Sequence, residues 1–151
     1  MFGGNDGGFN GDRSDTWEFD GVNWTESMPA NNPGNRRSHA MTYDNVHGKT
    51  VVFGGIVSSG YANDTWHYDG IDWIQIVTAS SPSARHKHAM AYDGVRGKVV
   101  MFGGGVSIGL NDTWEFDGIN WAQVATANTP ISRSDHAMVY DSTSGKVVMF
   151  G

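Results

Sequence analysis

Apolar residues in this chain come in short runs flanked by aromatics, and the runs are separated by polar and glycine-rich segments. The stretch from Arg85 to Ser132 shows the pattern. His88–Tyr92 (HAMAY) predicts a first strand. Asp93–Gly97 (DGVRG) predicts a turn that ends on glycine, the residue suited to positive φ. Lys98–Phe102 (KVVMF) predicts a second strand, rich in valine and closed by an aromatic. Gly103–Leu110 is a loop of glycine and small residues. Asp112–Phe116 alternates Trp and Phe with Thr and Glu, the period of a third strand. Asp117-Gly118 predicts a tight hairpin turn and Trp121–Ala125 a fourth strand. Thr126–Ser132, with Pro130, leads onward. No segment carries a 3.6-residue period, so the reading is all strand.

The same order of signals recurs. Asp-Thr-Trp stands at Asp15–Trp17, Asp64–Trp66 and Asp112–Trp114, at intervals of 49 and 48 residues. Arg-x-x-His-Ala-Met stands at Arg36–Met41, Arg85–Met90 and Arg133–Met138, at the same intervals. Asp-Gly-x-(Asn/Asp)-Trp ends at Trp24, Trp73 and Trp121. A fixed period near 50 residues marks a repeat architecture in which each unit buries its faces against its neighbours. Four antiparallel strands per unit describe one blade of a β-propeller.

These residues carry a resemblance across essentially the whole chain. The double glycine after the valine-rich strand (Gly3-Gly4, Gly54-Gly55, Gly103-Gly104), the Tyr-Asp after the first strand (Tyr43-Asp44, Tyr92-Asp93, Tyr140-Asp141) and the spaced tryptophans are similar to kelch repeats. The resemblance implies blades with strands A to D numbered outward from a central channel, and kelch propellers of about six or seven blades. This chain holds three. Two units are intact, residues 36–84 and 85–132. The third is split: strands A and B at His136–Tyr140 and Lys146–Phe150, strands C and D at Thr16–Phe19 and Trp24–Glu26. Its residues 133–151 plus 1–35 complete a blade of the common length only when joined. Propellers close with about four to eight blades, and bare strand edges are templates for pairing. The expectation is therefore one three-blade unit over residues 1–151, two copies of which form a six-bladed homodimer by exchanging strands in the split blade. Phe2-Gly3 and Phe150-Gly151 compete for one place in that blade.

Composition narrows the partners. Of 151 residues, 21 are glycine without a collagen-like period, and 17% are charged with a net charge of −6. The scattered Lys and Arg form no basic patch, so nucleic acid and anionic membrane are not expected partners. No apolar run reaches the roughly 18 residues of a membrane span. MFGGNDGG at the start lacks the charged and apolar regions of a signal peptide. Absence of cysteine removes disulfides, thiolate metal sites and cysteine nucleophiles.

Strand directions place the A starts, the B–C loops and the D–A linkers at one end of the channel, termed the top. Arg36, Arg85 and Arg133 fall there with His39, His88 and His136. One reading is an anion site, since clustered guanidiniums suit carboxylate or phosphate and imidazoles add donors. The other is structural: each Arg pairs with the Asp that starts strand C (Asp15, Asp64, Asp112), because buried charges need partners. Trp17, Trp66 and Trp114 read as blade-to-blade core. Trp24, Trp73 and Trp121 read as covers of the blade edge. The B–C loops differ among units (Asn5–Ser14, Ile56–Asn63, Gly105–Asn111), and variable loops on a rigid scaffold carry binding. Tyr61, Phe9, Arg13 and Leu110 are the loop residues placed to reach a ligand.

Catalytic constellations are missing. There is no Gly-x-Ser-x-Gly elbow and no P-loop. Asn5–Gly8 is too short for a calcium loop. Kelch-fold copper oxidases use a Cys-modified Tyr, which a chain without cysteine does not supply. Sialidase-type Asp boxes are absent. The sequence thus reads as a non-catalytic scaffold without cofactor or metal, partnered by itself and by a small anionic or protein ligand. Alternatives are a lectin-like or enzymatic propeller with its site at the channel mouth, and an excised or engineered piece that only assembles.

Overall fold

A computed structural model describes residues 1–8 and 11–151. Its strands form four antiparallel sheets. The first is β1 (Phe2–Asn5), β2 (Asp12–Phe19) and β3 (Trp24–Ser27). The second is β4 (Ala40–Asp44), β5 (Lys49–Val57), β6 (Gly60–Tyr68) and β7 (Trp73–Ile76). The third is β8 (Ala89–Asp93), β9 (Lys98–Phe102), β10 (Thr113–Phe116) and β11 (Trp121–Val124). The fourth is a hairpin of β12 (Ala137–Asp141) and β13 (Lys146–Phe150). Each four-stranded sheet runs in chain order, as a propeller blade does. Register repeats faithfully: Ala40–Phe53–Thr65 in the second sheet matches Ala89–Phe102–Thr113 in the third.

The inner strands explain the continuous apolar runs. β5 and β9 lie between two strands of their own sheet and between two neighbouring sheets, so both faces are covered. Val51, Val52 and Phe53 are all buried, as are Val99, Val100, Met101 and Phe102. Val51 and Phe53 pack with Met90, Tyr92, Val99, Met101, Phe116 and Trp121 between the second and third sheets. Val52 points the other way, to Phe2, Tyr68 and Trp73 at the junction with the first sheet. The double glycines follow from the same junctions. Gly54 (φ 62°) and Gly103 (φ 67°) sit where a Cβ would come 2.7 Å from the main-chain oxygens of Arg85 and Arg133 in the next sheet. The glycine after each donates its N–H to that oxygen: Gly55 to Arg85 and Gly104 to Arg133, both 2.9 Å. Glycine stands there because adjacent backbones touch.

Two expectations change. Trp73 and Trp121 are not edge covers. Each is buried and crosses to the preceding sheet, where its Nε1 donates to Thr16 Oγ1 and Thr65 Oγ1 respectively, both at 2.9 Å. Trp17, Trp66 and Trp114 are only half-buried, each donating Nε1 to the aspartate two residues before it. Trp73 and Trp121 therefore fill the junctions, and Trp66 and Trp114 pack against the same junction clusters from the side while their Nε1 atoms stay on their own strand's aspartate. Ile56–Asn63 is not a loose loop either, because β5 and β6 continue through it and turn over Ser58-Ser59.

The two ends of the array are open. β9 and β13 share the sequence KVVMF, yet Phe102 is 4% exposed and Phe150 85%. Among the described residues β13 has no third strand beside it, and no sheet follows it. At the other end Trp24 is 54% exposed, against 2% for both Trp73 and Trp121.

Candidate functional site

The top-face arginines are set by the D–A linkers and aimed along the blade. Arg36 and Arg85 are fully buried. Arg36 holds Asp64 through two hydrogen bonds of 2.9 Å, and reaches the main-chain oxygens of Gly54 (2.9 Å) and Pro33. Arg85 holds Asp112 at 2.7 and 2.8 Å, Gly103 O at 3.0 Å, and Ser83 through O and Oγ, both 3.1 Å. Burial pushes the Asp64 and Asp112 carboxyls up. The hydrogen bonds and charge of the paired arginine, with the Trp66 or Trp114 indole, outweigh it and hold both below the usual carboxylate range. Both forks point into the blade: Arg85 has Nε and both terminal nitrogens bonded, while Arg36 has its two terminal nitrogens bonded and its buried Nε without a partner among the described residues. Arg133 differs: it bonds the main-chain oxygens of Gly151 (2.8 Å) and Ile131 (3.3 Å), and among the described residues it makes no ion pair.

The histidines are junction residues. His88 meets Phe53 edge-on at 5.5 Å and His136 meets Phe102 at 5.8 Å, while His39 packs on Phe2 at 5.6 Å. Burial, reinforced by the Arg36 charge, lowers His39 to about 4. Burial and the Arg85 charge lower His88 to about 3. Both are neutral in the fold at neutral pH. Unfolded, they titrate near 6.5. Stability is therefore expected to fall as pH drops from about 6.5 towards about 4, because the unfolded chain takes up protons that the fold excludes. The slope is about 1.4 kcal/mol per pH unit per histidine, and above pH 6.5 these two add none. Denaturant midpoints at pH 7, 6 and 5 check this, with His88→Asn expected to remove its own share of about 1.4 kcal/mol per pH unit. A flat wild-type profile over this window contradicts the assignment.

Tyr61 and Arg13 are exposed on the same face. Tyr61, on β6, stacks on His86 of the next sheet at 5.1 Å. It borders a cleft of about 520 Å³ with Pro33, Asn35, Ser58 and Asp64. Arg13, on β2, pairs with Asp6 in its own B–C loop. Leu110 is tied down, its N–H donating to Gly104 O at 2.7 Å. Phe9 lies outside the described residues. Among the described residues no group of three or more His, Asp or Glu is placed to hold a metal ion, and no helix is long and apolar enough to cross a membrane.

The family model described as the KLHDC2/KLHL20/DRC7 Kelch-repeats domain matches residues 1–151. This chain belongs to the kelch-repeat family. No curated protein matches it significantly. Kelch domains are generally non-enzymatic propeller scaffolds that bind proteins. In this kelch chain the loop-bearing face holds two buried Arg–Asp pairs as fixed framework, with Tyr61 and Arg13 projecting beside them.

One set of top-face residues has no signal in the side-chain pattern. Ser38, Lys87 and Asp135 each stand two residues after a repeat arginine, in the left-handed region with φ of 55°, 59° and 61°. They differ chemically, so no motif marks them. Their backbones link successive kelch units at the mouth: Lys87 N–H donates to Ser38 O (2.9 Å) and Asp135 N–H to Lys87 O (3.0 Å). The Lys87 ammonium adds an ion pair to Asp135 at 2.9 Å. Only their recurrence at one offset from Arg36, Arg85 and Arg133 hints at a shared task.

Proposed function

We propose that this chain is half of a six-bladed kelch ring, closed by a second copy through a shared blade, and that the ring holds a protein ligand on its top face. The shared blade comprises residues 133–151 of one copy and 1–35 of the other. One observation carries the ring. Among the described residues Arg133 has no carboxylate and Asp15 no guanidinium, while the matching pairs Arg36–Asp64 and Arg85–Asp112 are bidentate in both complete blades. Joined between copies, Arg133 and Asp15 make the third such pair. Other open halves match in the same way. The Tyr92 hydroxyl lies beside Asp44 and that of Tyr140 beside Asp93, which leaves Tyr43 for Asp141 of a second copy. Trp73 and Trp121 donate to Thr16 and Thr65, which leaves Trp24 for Thr113.

Family membership supports protein binding. The two copies together present Tyr61 and Arg13 twice around the mouth, on loops that differ between blades. Sedimentation of the purified chain is expected to give a mass near twice its 16.4 kDa. Peptides selected from a displayed library on that species are expected to lose about tenfold in affinity on Tyr61→Ala with the mass unchanged, the loss typical of an exposed aromatic anchor. A mass that stays at one chain with native strand content removes the ring. Full affinity in the Tyr61 variant removes the proposed contact.

A further inference from the structure

We infer that the cleft beside β2 is the seat of Lys146–Val148 of a second copy, and that Met149–Gly151 of that copy is displaced by Met1–Gly3 already in place. This rests on the ring reading above and names the segment that enters. The cleft, about 760 Å³, is bordered by Glu18 and Phe19 of β2, by Asp20 just after it, and by Met41, Thr50 and Trp73 across the junction. It exists because β1 pairs with β2 only from Thr16 toward the top. Below that, Glu18 and Phe19 pair with β3 alone.

The complete blades show what belongs there. His67 and Tyr68 of β6 face Val51 and Thr50, and Glu115 and Phe116 of β10 face Val100 and Val99. The same register brings Val148 opposite Glu18 and Val147 opposite Phe19. Charge agrees. Lys49 lies 3.6 Å from Asp69, and Lys98 lies 3.9 Å from Asp117. The equivalent pair is Lys146 with Asp20, one on each open end. The incoming strand brings β12 with it, and the exposed Val139 and Val148 become covered.

Phe2 and Phe150 qualify for one position, and Phe2 holds it. Phe2 is 2% exposed, 4.8 Å from the Trp73 ring, and opposite Thr16 as Phe53 is opposite Thr65. Met1 O accepts from Trp17 N–H at 2.8 Å. Gly4 N–H donates to Arg36 O at 2.9 Å, the link that Gly55 and Gly104 make elsewhere. Phe150 has no such contacts. Strand B of the shared blade is thus Lys146–Val148 from one copy, abutting Met1–Gly4 from the other.

Cysteine pairing tests this, since the chain has no cysteine of its own. Chains carrying Glu18→Cys are mixed with chains carrying Val148→Cys and oxidised, with Val139→Cys chains as the control. Opposed residues on paired strands bring their Cβ atoms to about 4.5–5.5 Å, close enough to cross-link with small adjustment. The expected result is an 18–148 disulfide between copies that forms at least about tenfold faster than 18–139. A species of twice the chain mass in which 18–148 forms no faster overturns the slot and leaves the ring standing. A species of single chain mass overturns both. Phe150→Asp is expected to leave the dissociation constant within about twofold, as for an exposed surface position. Weakening beyond tenfold shows that Phe150 is buried, and the displaced-end assignment falls.

Discussion

Arg85→Ala is expected to destabilise the fold by about 3–5 kcal/mol, the cost of removing one member of a buried ion pair. A fold with a total of about 5–15 kcal/mol loses a large share of it. The size follows from what is left behind. Asp112, held ionised by Arg85, stays partly buried without its counter-charge. Gly103 O loses its donor beside the junction glycine whose neighbour bonds Arg133. Arg85→Lys is expected to recover little, because an ammonium cannot span both carboxylate oxygens and a carbonyl at once. Arg133→Ala separates fold from assembly. It is expected to cost the single chain less than about 1 kcal/mol, because this half-buried guanidinium makes no ion pair among the described residues, and to raise the concentration at which two copies part. Urea melts over a hundredfold range of protein concentration read both. The Arg85 deficit is expected at every concentration, and the Arg133 deficit chiefly at the low end. Arg85→Ala melting within about 1 kcal/mol of wild type would falsify the view that its fork is a fixed part of the blade.

The strands were legible because a propeller repeats its local code. Lys98–Phe102 reads as a strand from its own residues and occupies one. Asp117 accepts the N–H groups of Ile119 and Asn120, which is why Asp-Gly marks that turn. Periodicity within one strand cannot tell which neighbour covers which face. The tryptophans show this: Trp66 and Trp73 are equally apolar, and only the packing of one sheet on the next assigns Trp73 to Thr16 and leaves Trp66 on its own Asp64. The pairing of each arginine with the strand C aspartate was one of two open readings of the sequence. Arg36 and Arg85 make that pair, across 28 and 27 residues of chain that no local pattern connects. Ser38, Lys87 and Asp135 were invisible because their shared property is a backbone angle and an N–H, which any side chain can accompany. The Ile56–Asn63 hairpin was missed because glycine and serine there read as loop, although the ladder from β5 to β6 continues through Gly55↔Ala62 and Val57↔Gly60.

Trp121→Ala and Trp24→Ala are expected to differ in kind, and that difference measures whether the ring closes. Trp121 is buried between the second and third sheets, 5.2 Å from the Phe53 ring and 5.1 Å from the Phe116 ring, with its Nε1 on Thr65. Its removal empties the centre of a core cluster and strips a buried hydroxyl of its donor, for a cost of about 3–5 kcal/mol. Trp24 occupies the same place in the repeat but is 54% exposed and meets the Phe19 ring at 5.1 Å, with no sheet beyond it among the described residues. In an isolated chain its removal is expected to change stability by no more than about 0.5 kcal/mol. In a closed ring it meets Thr113 and the Phe102 junction of the second copy, and its removal carries the cost seen for Trp121. The two variants are therefore compared at a concentration where wild type has twice the chain mass and again after dilution to single chains. Equal costs above the transition, and a cost for Trp121 alone below it, follow if one junction geometry serves all six blades. A Trp24 variant as stable and as massive as wild type at every concentration means that this flank meets no second copy. The open end of the first sheet would then need a different neighbour to cover it.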